Sequence, residues 1–278
     1  MVSPAAPESD KSARASLAEW LALRRTADYA ARSNRLTEWI ADRLRGRDPL
    51  HLLDLGTGTG SNVDYLATRL GSEQYWLAVD KDAALMSAGT RPATAETRVH
   101  VETRVVDLGL LTAPEIFDGR DLVTASALLD LVSERWLRWV ASQCRRVGAC
   151  ALFTLTYNGR NECEPADADD ALVFSQFDRH QVTDKGLAGA AAGPFATEVA
   201  RRAFNDLGFD VRVESSDWQL DTAEAELQRE LIQGWAVAAA EIDPEQRDRI
   251  EAWRLRRLAH VTAGESRILV GHYDLAAL

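Results

Sequence analysis

The chain has 278 residues, of which 46% are hydrophobic and 27% are charged, so it has enough apolar material for one large folded domain. Its net charge of −11 disfavours a long polyanionic substrate, because surfaces that bind nucleic acids are usually basic. The three cysteines lack the spacing of a zinc site and are expected to be reduced thiols. With no signal-peptide pattern and no apolar run long enough for a membrane, a cytoplasmic protein is expected.

The N-terminal part of the chain is predicted to be helical. Residues 1–10 are rich in Pro, Ala and Ser and are predicted to be a disordered tail. Apolar residues at helical spacing then predict two helices within residues 11–46, the first containing Trp20 and the second Trp39. Residues 11–278 are expected to form a single domain.

The most informative stretch is the end of the first predicted strand, residues 50–55. Asp54 is followed by Gly56, Gly58 and Gly60, and a helical pattern begins directly afterwards. Glycines allow positive φ and leave no Cβ in the way, so a ligand can lie against the backbone. The start of the next helix offers free N–H groups to an anion. A dinucleotide site, typically Gly-x-Gly-x-x-Gly, and a site for S-adenosylmethionine (SAM) both use such a turn.

Two further strand ends carry acidic residues. The second predicted strand ends in Asp80, whose carboxylate can accept hydrogen bonds from both hydroxyls of an adenosine ribose. Both cofactor classes use an acid at this position, so Asp80 does not separate them. The third predicted strand, residues 99–106, is followed by Asp107 and Leu108.

The pattern Asp-x-Gly-x-Gly-x-Gly resembles motif I of the class I SAM-dependent methyltransferases, and the matching motifs span roughly residues 50–156. The resemblance implies SAM as cofactor and S-adenosylhomocysteine as product, with Asp107 at the adenine amino group and Leu108 against the ring. It also implies N-terminal helices that close over the cofactor, where Arg32 would pair with the SAM carboxylate. The other cofactor contacts expected from the resemblance are Thr57, Asn62, Lys81 and Ala125.

The remaining elements predict the fold class: an α/β, doubly wound, seven-stranded, mostly parallel sheet. N-terminal helices precede it, and a helical insertion precedes its last strand. Strands alternating with helices imply right-handed crossovers and a ligand at the carboxyl ends of the strands. Residues 157–194 are too long for a simple connector and are predicted to be a lid or acceptor region. The other predicted elements are strands at 121–126, 149–156, 209–213 and 266–273, and helices at 133–147, 195–207, 222–241 and 244–261.

Candidate residues for the methyl acceptor follow from the same resemblance. Among the five histidines, His180 alone lies in the predicted acceptor region and is the candidate general base, with Tyr157 as second choice. Asp130, Arg179 and Lys185 are the candidate substrate contacts, and the two cations would suit an anionic acceptor.

Two charged groups near this region are predicted to be solvated surface. The acidic run comprises Glu162, Glu164, Asp167, Asp169 and Asp170. The basic group on a late helix comprises Arg254, Arg256 and Arg257.

The expected function is transfer of a methyl group from SAM to an oxygen, nitrogen or carbon atom of a small molecule by in-line displacement. No cluster of metal ligands is visible. A nucleic-acid or protein methyltransferase remains an alternative, although the acidic charge and the lack of an Asn/Asp-Pro-Pro-Tyr segment count against it. The glycine spacing and Asp54 count against a nicotinamide-dependent reductase. A SAM-binding protein without catalytic activity stays open, and so do the acceptor and the oligomeric state.

Overall fold

A computed structural model describes residues 8–71, 73–89 and 98–278. Eight strands form one sheet in the order β3-β2-β1-β4-β5-β8-β6, and the short β7 pairs with β8. Their bounds are β1 Leu50–Leu55, β2 Gln74–Asp80, β3 Val99–Val105, β4 Leu122–Ser126, β5 Cys150–Glu164, β6 Val211–Ser215, β7 Trp218–Leu220 and β8 Arg267–Ala277.

The α-helices of the described part of the chain lie on both faces of this sheet. They are α1 Glu8–Ala31, α2 Asn34–Leu44, α3 Ser61–Ala67, α4 Ala83–Ala88, α5 Glu134–Val147, α6 Asp170–Gln181, α7 Ala196–Asn205, α8 Ala225–Ile242 and α9 Arg247–Ala263. Residues 1–7 of the predicted tail lie outside the described residues, and residues 8–10 begin α1.

The doubly wound, mostly parallel sheet is confirmed, with one more strand than predicted. The pairs β1–β2, β2–β3, β1–β4 and β4–β5 are parallel, whereas β8 runs antiparallel to β5, β6 and β7. The eighth strand is β7, a three-residue strand that follows β6 and packs beside β8. The helical insertion before the last strand is also confirmed, because α8 and α9 lie between β7 and β8.

The predicted lid is wrong for its first part. β5 does not end at residue 156 but continues to Glu164, because β8 pairs with it antiparallel from Ala151 through to Glu164. Residues 170–181 then form α6, so the connecting segments within the predicted region are the short 165–169 and the loop 182–192. An isolated sequence could not show this, because β8, the pairing partner, lies about a hundred residues further along the chain.

One buried carboxylate joins three distant parts of the fold. Asp274 in β8 is fully buried and accepts hydrogen bonds from the backbone N–H of Ser33 (2.8 Å) and of Leu155 (2.8 Å). Ser33 is the N-cap of α2, and Leu155 lies at a bulge in β5 with φ of +57°. Burial raises the pKa of Asp274, and these backbone donors oppose that rise. Asp274 therefore links the N-terminal helices to the centre of the sheet.

Apolar side chains form three clusters around the sheet. One lies between the sheet and α5 and α7, and a second lies on the opposite face under α2 and α3. The third is built by α6, α8 and α9 against the ends of β5 and β8. Four tryptophans contribute to these clusters, since Trp76, Trp136, Trp235 and Trp253 are all fully buried. The third cluster fixes α6 beside the carboxyl ends of the strands.

Part of the acidic run is not solvated surface but pairs with two of the late arginines: Asp167, Asp169 and Asp170 form ion pairs with Arg256 and Arg257. Arg257, only 1% exposed, donates from Nε to Asp170 (3.1 Å) and also pairs with it through Nη2. The Trp253 indole donates to the same carboxylate at 2.8 Å. Arg256 pairs with Asp167 at 2.7 Å. These contacts attach the start of α6 to α9.

This arrangement predicts that Arg257→Met destabilises the protein by about 3–5 kcal/mol, because it leaves the carboxylate of Asp170 without its buried partner. The control is Arg254→Met on the same helix, whose pair with Glu251 is more exposed, at 21% and 49%, and is expected to contribute less than about 1 kcal/mol. Urea denaturation measures both free energies of unfolding. Equal losses in the two variants would contradict a structural role specific to the buried pair.

Candidate active site

A cavity of about 400 Å³ opens at the carboxyl ends of the central strands, where the predicted ligand site lies. Its walls come from α1, the glycine turn after β1, the end of β2, the segment after β4 and the loop after α6. The predicted site residues on these walls are Arg32, Gly56, Thr57, Gly58, Asn62, Asp80, Lys81, Leu108 and Lys185.

The glycine turn is tied to the end of β2 by Asp80. Gly56 and Gly58 have φ of +67° and +52°, which residues other than glycine adopt only at a cost in conformational energy. One carboxylate oxygen of Asp80 accepts from the backbone N–H of Gly58 at 2.9 Å, and the other accepts from the N–H of Asp82 at 3.0 Å. Each oxygen keeps a further lone pair, so Asp80 can still accept hydrogen bonds from a ligand in the cavity.

A polar chain runs from the cavity wall into the core. Arg32 Nη1 donates to Asn62 Oδ1 at 2.7 Å, and Asn62 Nδ2 donates to Asp54 Oδ1 at 2.6 Å. Asp54 does not reach the cavity; it is 1% exposed, and burial raises its pKa to about 6. Its contact is therefore with Asn62, which it orients, and not with the cavity itself.

Arg32 combines burial with unused hydrogen-bonding capacity. Its guanidinium stacks on the Tyr65 ring, 3.9 Å from the ring centroid, and the residue is 4% exposed. Nε and Nη2 have no hydrogen-bond partner among the described residues. Burial lowers the pKa of Arg32, and the nearby Asp274 opposes this. A buried guanidinium with two unused donors is suited to a carboxylate, which accepts two parallel hydrogen bonds.

Besides Asp54, which was also predicted to contact the cofactor, three predicted cofactor contacts lie away from the cavity wall. Gly60 is the N-cap of α3, behind the turn, with φ of +84°. Asp107 is exposed and caps the short turn that follows β3, where it accepts from the N–H of Gly109 at 2.9 Å. Ala125 is completely buried in β4, and the wall is formed instead by the next three residues, 126–128.

The predicted catalytic tyrosine is packed in the third apolar cluster and not on the cavity wall. Tyr157 is 5% exposed and donates from its hydroxyl to Asp178 Oδ1 at 2.7 Å. Burial first, and then Asp178, raise the pKa of Tyr157, so the group is a poor base in this setting. Arg179 is also off the wall, where it donates to Gln176 Oε1 at 2.7 Å.

His180 lies behind the cavity wall, next to a residue that lines it. Its ring does not line the cavity, but Nδ1 lies 3.3 Å from the Nζ of Lys185, which does. Lys185 is placed by the loop after α6, which packs closely on the turn after β3. A Cβ on Gly109 would lie 2.3 Å from the carbonyl oxygen of Gly186, so only glycine allows this approach.

Asp130 is likewise buried next to the cavity without lining it. It lies in a short turn after β4 and is 7% exposed. Burial raises its pKa to about 6, and the opposing influences include the charges of Arg24 and Lys185. Asp130 is therefore placed to act on those two cations.

Sequence analysis expected the N-terminal helices to close over the cofactor but named only Arg32, and it missed the residues that α1 contributes to the wall. Arg24 pairs with Asp28 at 2.9 Å, and its guanidinium lies 5.0 Å from the ring centroid of Trp218. The only signal was the apolar stripe of the helix, which predicts a buried face but not what it covers. Arg32 directly follows α1, and the α1 residues on the wall are Leu17, Trp20, Leu21, Arg24, Asp28 and Tyr29.

Within residues 8–71, 73–89 and 98–278, no group of three His, Cys, Asp or Glu side chains is placed to hold a metal ion. No helix in the same part of the chain is long and apolar enough to cross a membrane. The three cysteines are buried and unpaired.

The raised pKa of Asp130 predicts a stability difference that depends on pH. The unfolded chain ionises this carboxyl near its ordinary pKa of 3.8, whereas the folded chain retains the proton up to about pH 6. The wild type therefore loses stability from this group as pH rises between those values, and Asp130→Asn does not. The free energy of unfolding of the variant should rise relative to wild type by up to ~3 kcal/mol across this window.

Urea denaturation at pH values from 4 to 7.5 measures this difference. The control is Asp210→Asn, which removes an exposed acid. If Asp130→Asn and wild type changed in parallel across the whole pH range, the carboxyl would not be held protonated by the fold.

No protein-family model matches the chain, and no curated protein matches it in sequence. Solved structures do resemble it. The cyclopropane synthase MmaA2 from Mycobacterium tuberculosis has a TM-score of 0.49 at 12% identity, over 86% of this chain and 82% of that one. A putative type II methyltransferase from Anaeromyxobacter dehalogenans has a TM-score of 0.49 at 16% identity, over 88% and 95%. A putative sarcosine dimethylglycine methyltransferase from Galdieria sulphuraria has a TM-score of 0.41 at 15% identity, over 87% and 85%.

At these identities and TM-scores, the similarities support no assignment of a substrate or of a functional residue to this chain. The strand order carries the assignment of the fold. A dinucleotide-binding sheet typically has the order 3-2-1-4-5-6, whereas here the antiparallel β8 lies between β5 and β6. The sheet is therefore distinct from the dinucleotide-binding one, and it has the α/β, doubly wound, mostly parallel plan that the sequence predicted.

Proposed function

We propose that the protein is a SAM-dependent methyltransferase that acts on a small-molecule acceptor. The observation that carries the proposal is the position of Arg32. Its buried guanidinium, with two unused donors, lies on the wall of the same cavity as the glycine turn and Asp80. SAM has a carboxylate at one end and a ribose near the other, so these groups match the two ends of the cofactor.

The residues that would hold SAM follow from this match. Arg32 would bind the carboxylate, Asp80 the ribose hydroxyls, and Leu108 one face of the adenine, while the glycine turn leaves room for the cofactor against the backbone. When bound, SAM supplies a methyl group on a sulfonium, and the protein's task is to align the acceptor behind that methyl. The chain's own contribution to catalysis is therefore mainly positioning.

A small acceptor is supported by the size and the lining of the cavity. Beyond the residues assigned to SAM, the walls are mostly apolar and come from α1, from residues 127–131 and from the loop after α6. The net charge of −11 disfavours RNA or DNA as acceptor. We infer a cytoplasmic location, since three buried, unpaired cysteines fit a reducing compartment. A nucleic-acid or protein acceptor is the second candidate, and a protein that binds SAM without transferring its methyl is the third.

Ligand binding tests the assignment of Arg32 and Asp80 separately. S-adenosylhomocysteine has the carboxylate, whereas 5′-methylthioadenosine has only the nucleoside part. We expect Arg32→Met to weaken binding of S-adenosylhomocysteine by about 10- to 150-fold and to leave methylthioadenosine unchanged, because hydrogen bonds to a charged group contribute about 1.5–3 kcal/mol. Isothermal calorimetry measures both affinities.

Asp80→Asn should weaken both ligands, since both contain the ribose. The amide oxygen of the variant can still accept from Gly58, which keeps the turn in place. Arg35→Met is the control, because Arg35 is 86% exposed and pairs with Glu214 away from the cavity. Binding of NADH in place of S-adenosylhomocysteine by the wild type would overturn the proposal.

Turnover distinguishes the candidate acceptors. The protein is incubated with SAM carrying a labelled methyl group and with small-molecule extracts, RNA or protein in parallel. Label in a small molecule is the expected result, and label only in RNA or protein would favour the second candidate. Binding of S-adenosylhomocysteine without label in any pool would favour a protein that binds SAM but does not transfer its methyl.

A further inference from the structure

Lys185 is an unusual residue for this chain. The sequence contains three lysines, at positions 11, 81 and 185, against 29 arginines. Two of the three, Lys81 and Lys185, line the cavity. Arginine stays protonated in proteins, whereas a lysine can lose its proton when it is buried. A lysine on the wall of the acceptor part of the cavity therefore offers chemistry that the chain's usual cation does not.

A chain of titratable groups leads from Lys185 to the surface. Lys185 Nζ lies 3.3 Å from His180 Nδ1 and donates to the His180 carbonyl oxygen at 3.0 Å. On the other side of the ring, His180 Nε2 lies 3.2 Å from Glu241 Oε2. The exposed fraction of the side chain rises from 25% for His180 to 62% for Glu241. The three groups thus connect the cavity wall to solvent through α6 and α8.

The electrostatic surroundings favour a lysine that can exchange its proton. Burial lowers the pKa of Lys185, and the charges of Glu241 and Asp130 oppose this change. Asp130 itself also faces Arg24 of α1. The groups that face Lys185 are therefore His180 from α6, Glu241 from α8 and Asp130 from the turn after β4.

Building on the proposed methyltransferase function, we propose that Lys185 is the general base of methyl transfer and that His180 and Glu241 pass its proton to solvent. This differs from the expectation that His180 itself contacts the acceptor and that Lys185 binds an anion. It follows from the observation that Lys185 lines the cavity and His180 lies behind it.

The proton balance of the step is simple. The acceptor, as an O–H or N–H group, forms a bond to the methyl carbon while the sulfonium–carbon bond breaks, leaving S-adenosylhomocysteine. The acceptor's proton moves to the neutral amine of Lys185. The resulting ammonium gives a proton to His180 Nδ1, and the proton on Nε2 leaves to the carboxylate of Glu241 and then to water. No oxidant, reductant or metal is required.

Lysine NMR tests the base without knowledge of the acceptor. With 13C at Cε, the protein has only three lysine resonances, and Lys185→Met and Lys81→Met assign two of them. The protein is titrated with and without S-adenosylhomocysteine. We expect Lys185 to titrate below the ordinary lysine value of about 10.4 in both states. A midpoint at or above that value would overturn the proposal.

Variants of His180 and Glu241 test whether these two residues and Lys185 form one chain of titratable groups. Glu241→Gln and His180→Gln should each shift the titration of Lys185, since they remove groups that face it. A similar pair elsewhere supplies the control: His260 lies 3.6 Å from Glu265, with exposed fractions of 34% and 65%, on α9. His260→Gln and Glu265→Gln should leave Lys185 unchanged. If all four variants behaved alike, the three groups would not form one chain.

Kinetics separate a base from a binding site for an anion. With the acceptor found in the labelled-methyl screen, Lys185→Met and Lys185→Arg should both lower kcat by about 10²–10⁴-fold, the usual contribution of a general base. Arginine keeps the positive charge, so a lysine that only binds an anion would tolerate it. Retained kcat in Lys185→Arg would therefore overturn the proposal.

Kinetics also test the role of Glu241 in passing the proton to solvent. Glu241→Gln should lower kcat without changing the acceptor KM, and small buffer bases should restore the rate. Failure of the proposed methyltransferase function can be told apart from failure of the proposed base. The first would show as a wild-type protein that does not bind S-adenosylhomocysteine. The second would show in the titration of Lys185, which is measured independently of binding.

Discussion

The structure depends on a carboxylate that is completely removed from water. Asp274, in the antiparallel strand β8, accepts backbone hydrogen bonds from the junction of α1 and α2 and from the bulge in β5. A buried carboxylate needs such donors to remain stable in the fold. Because Ser33 is one of them, its neighbour Arg32 is brought to the wall of the cavity. The N-terminal helices are thereby positioned over the strand ends by a residue near the other end of the chain.

The cavity has two parts of different origin. Apart from Arg32, the part assigned to the cofactor is built by residues that follow β1, β2 and β3, within about 60 residues of sequence. The part assigned to the acceptor comes from three separated segments, namely α1, the turn after β4 and the loop after α6. Except for Arg32, cofactor recognition is therefore local in sequence, whereas the acceptor surface exists only when the chain is folded. This division explains why the chemistry of the methyl donor could be inferred more readily than that of the acceptor.

Individual residues illustrate the same division. The bounds of β1 and the glycine turn were predicted correctly, because a buried strand, its terminal acid and the following glycines are adjacent in sequence. β5 was predicted too short, because its extension depends on pairing with β8. Arg257 was predicted to be solvated, although Asp170 holds it in the interior. His180 was selected for its chemistry, but its position behind Lys185 depends on how α6 packs against α8 and on the close approach of Gly186 to Gly109.

The sequence by itself determined the alternation of strands and helices, the turn suited to a nucleoside cofactor, and the acids at the strand ends. These features rest on short-range patterns of hydrophobicity, glycine and charge. Only the tertiary structure decided that β8 lies antiparallel between β5 and β6, which residues of α1 line the cavity, and that Lys185 rather than His180 lies on its wall. The physical reason is that each of these depends on contacts between residues far apart in the chain, where burial and hydrogen bonding, not local propensity, select the arrangement.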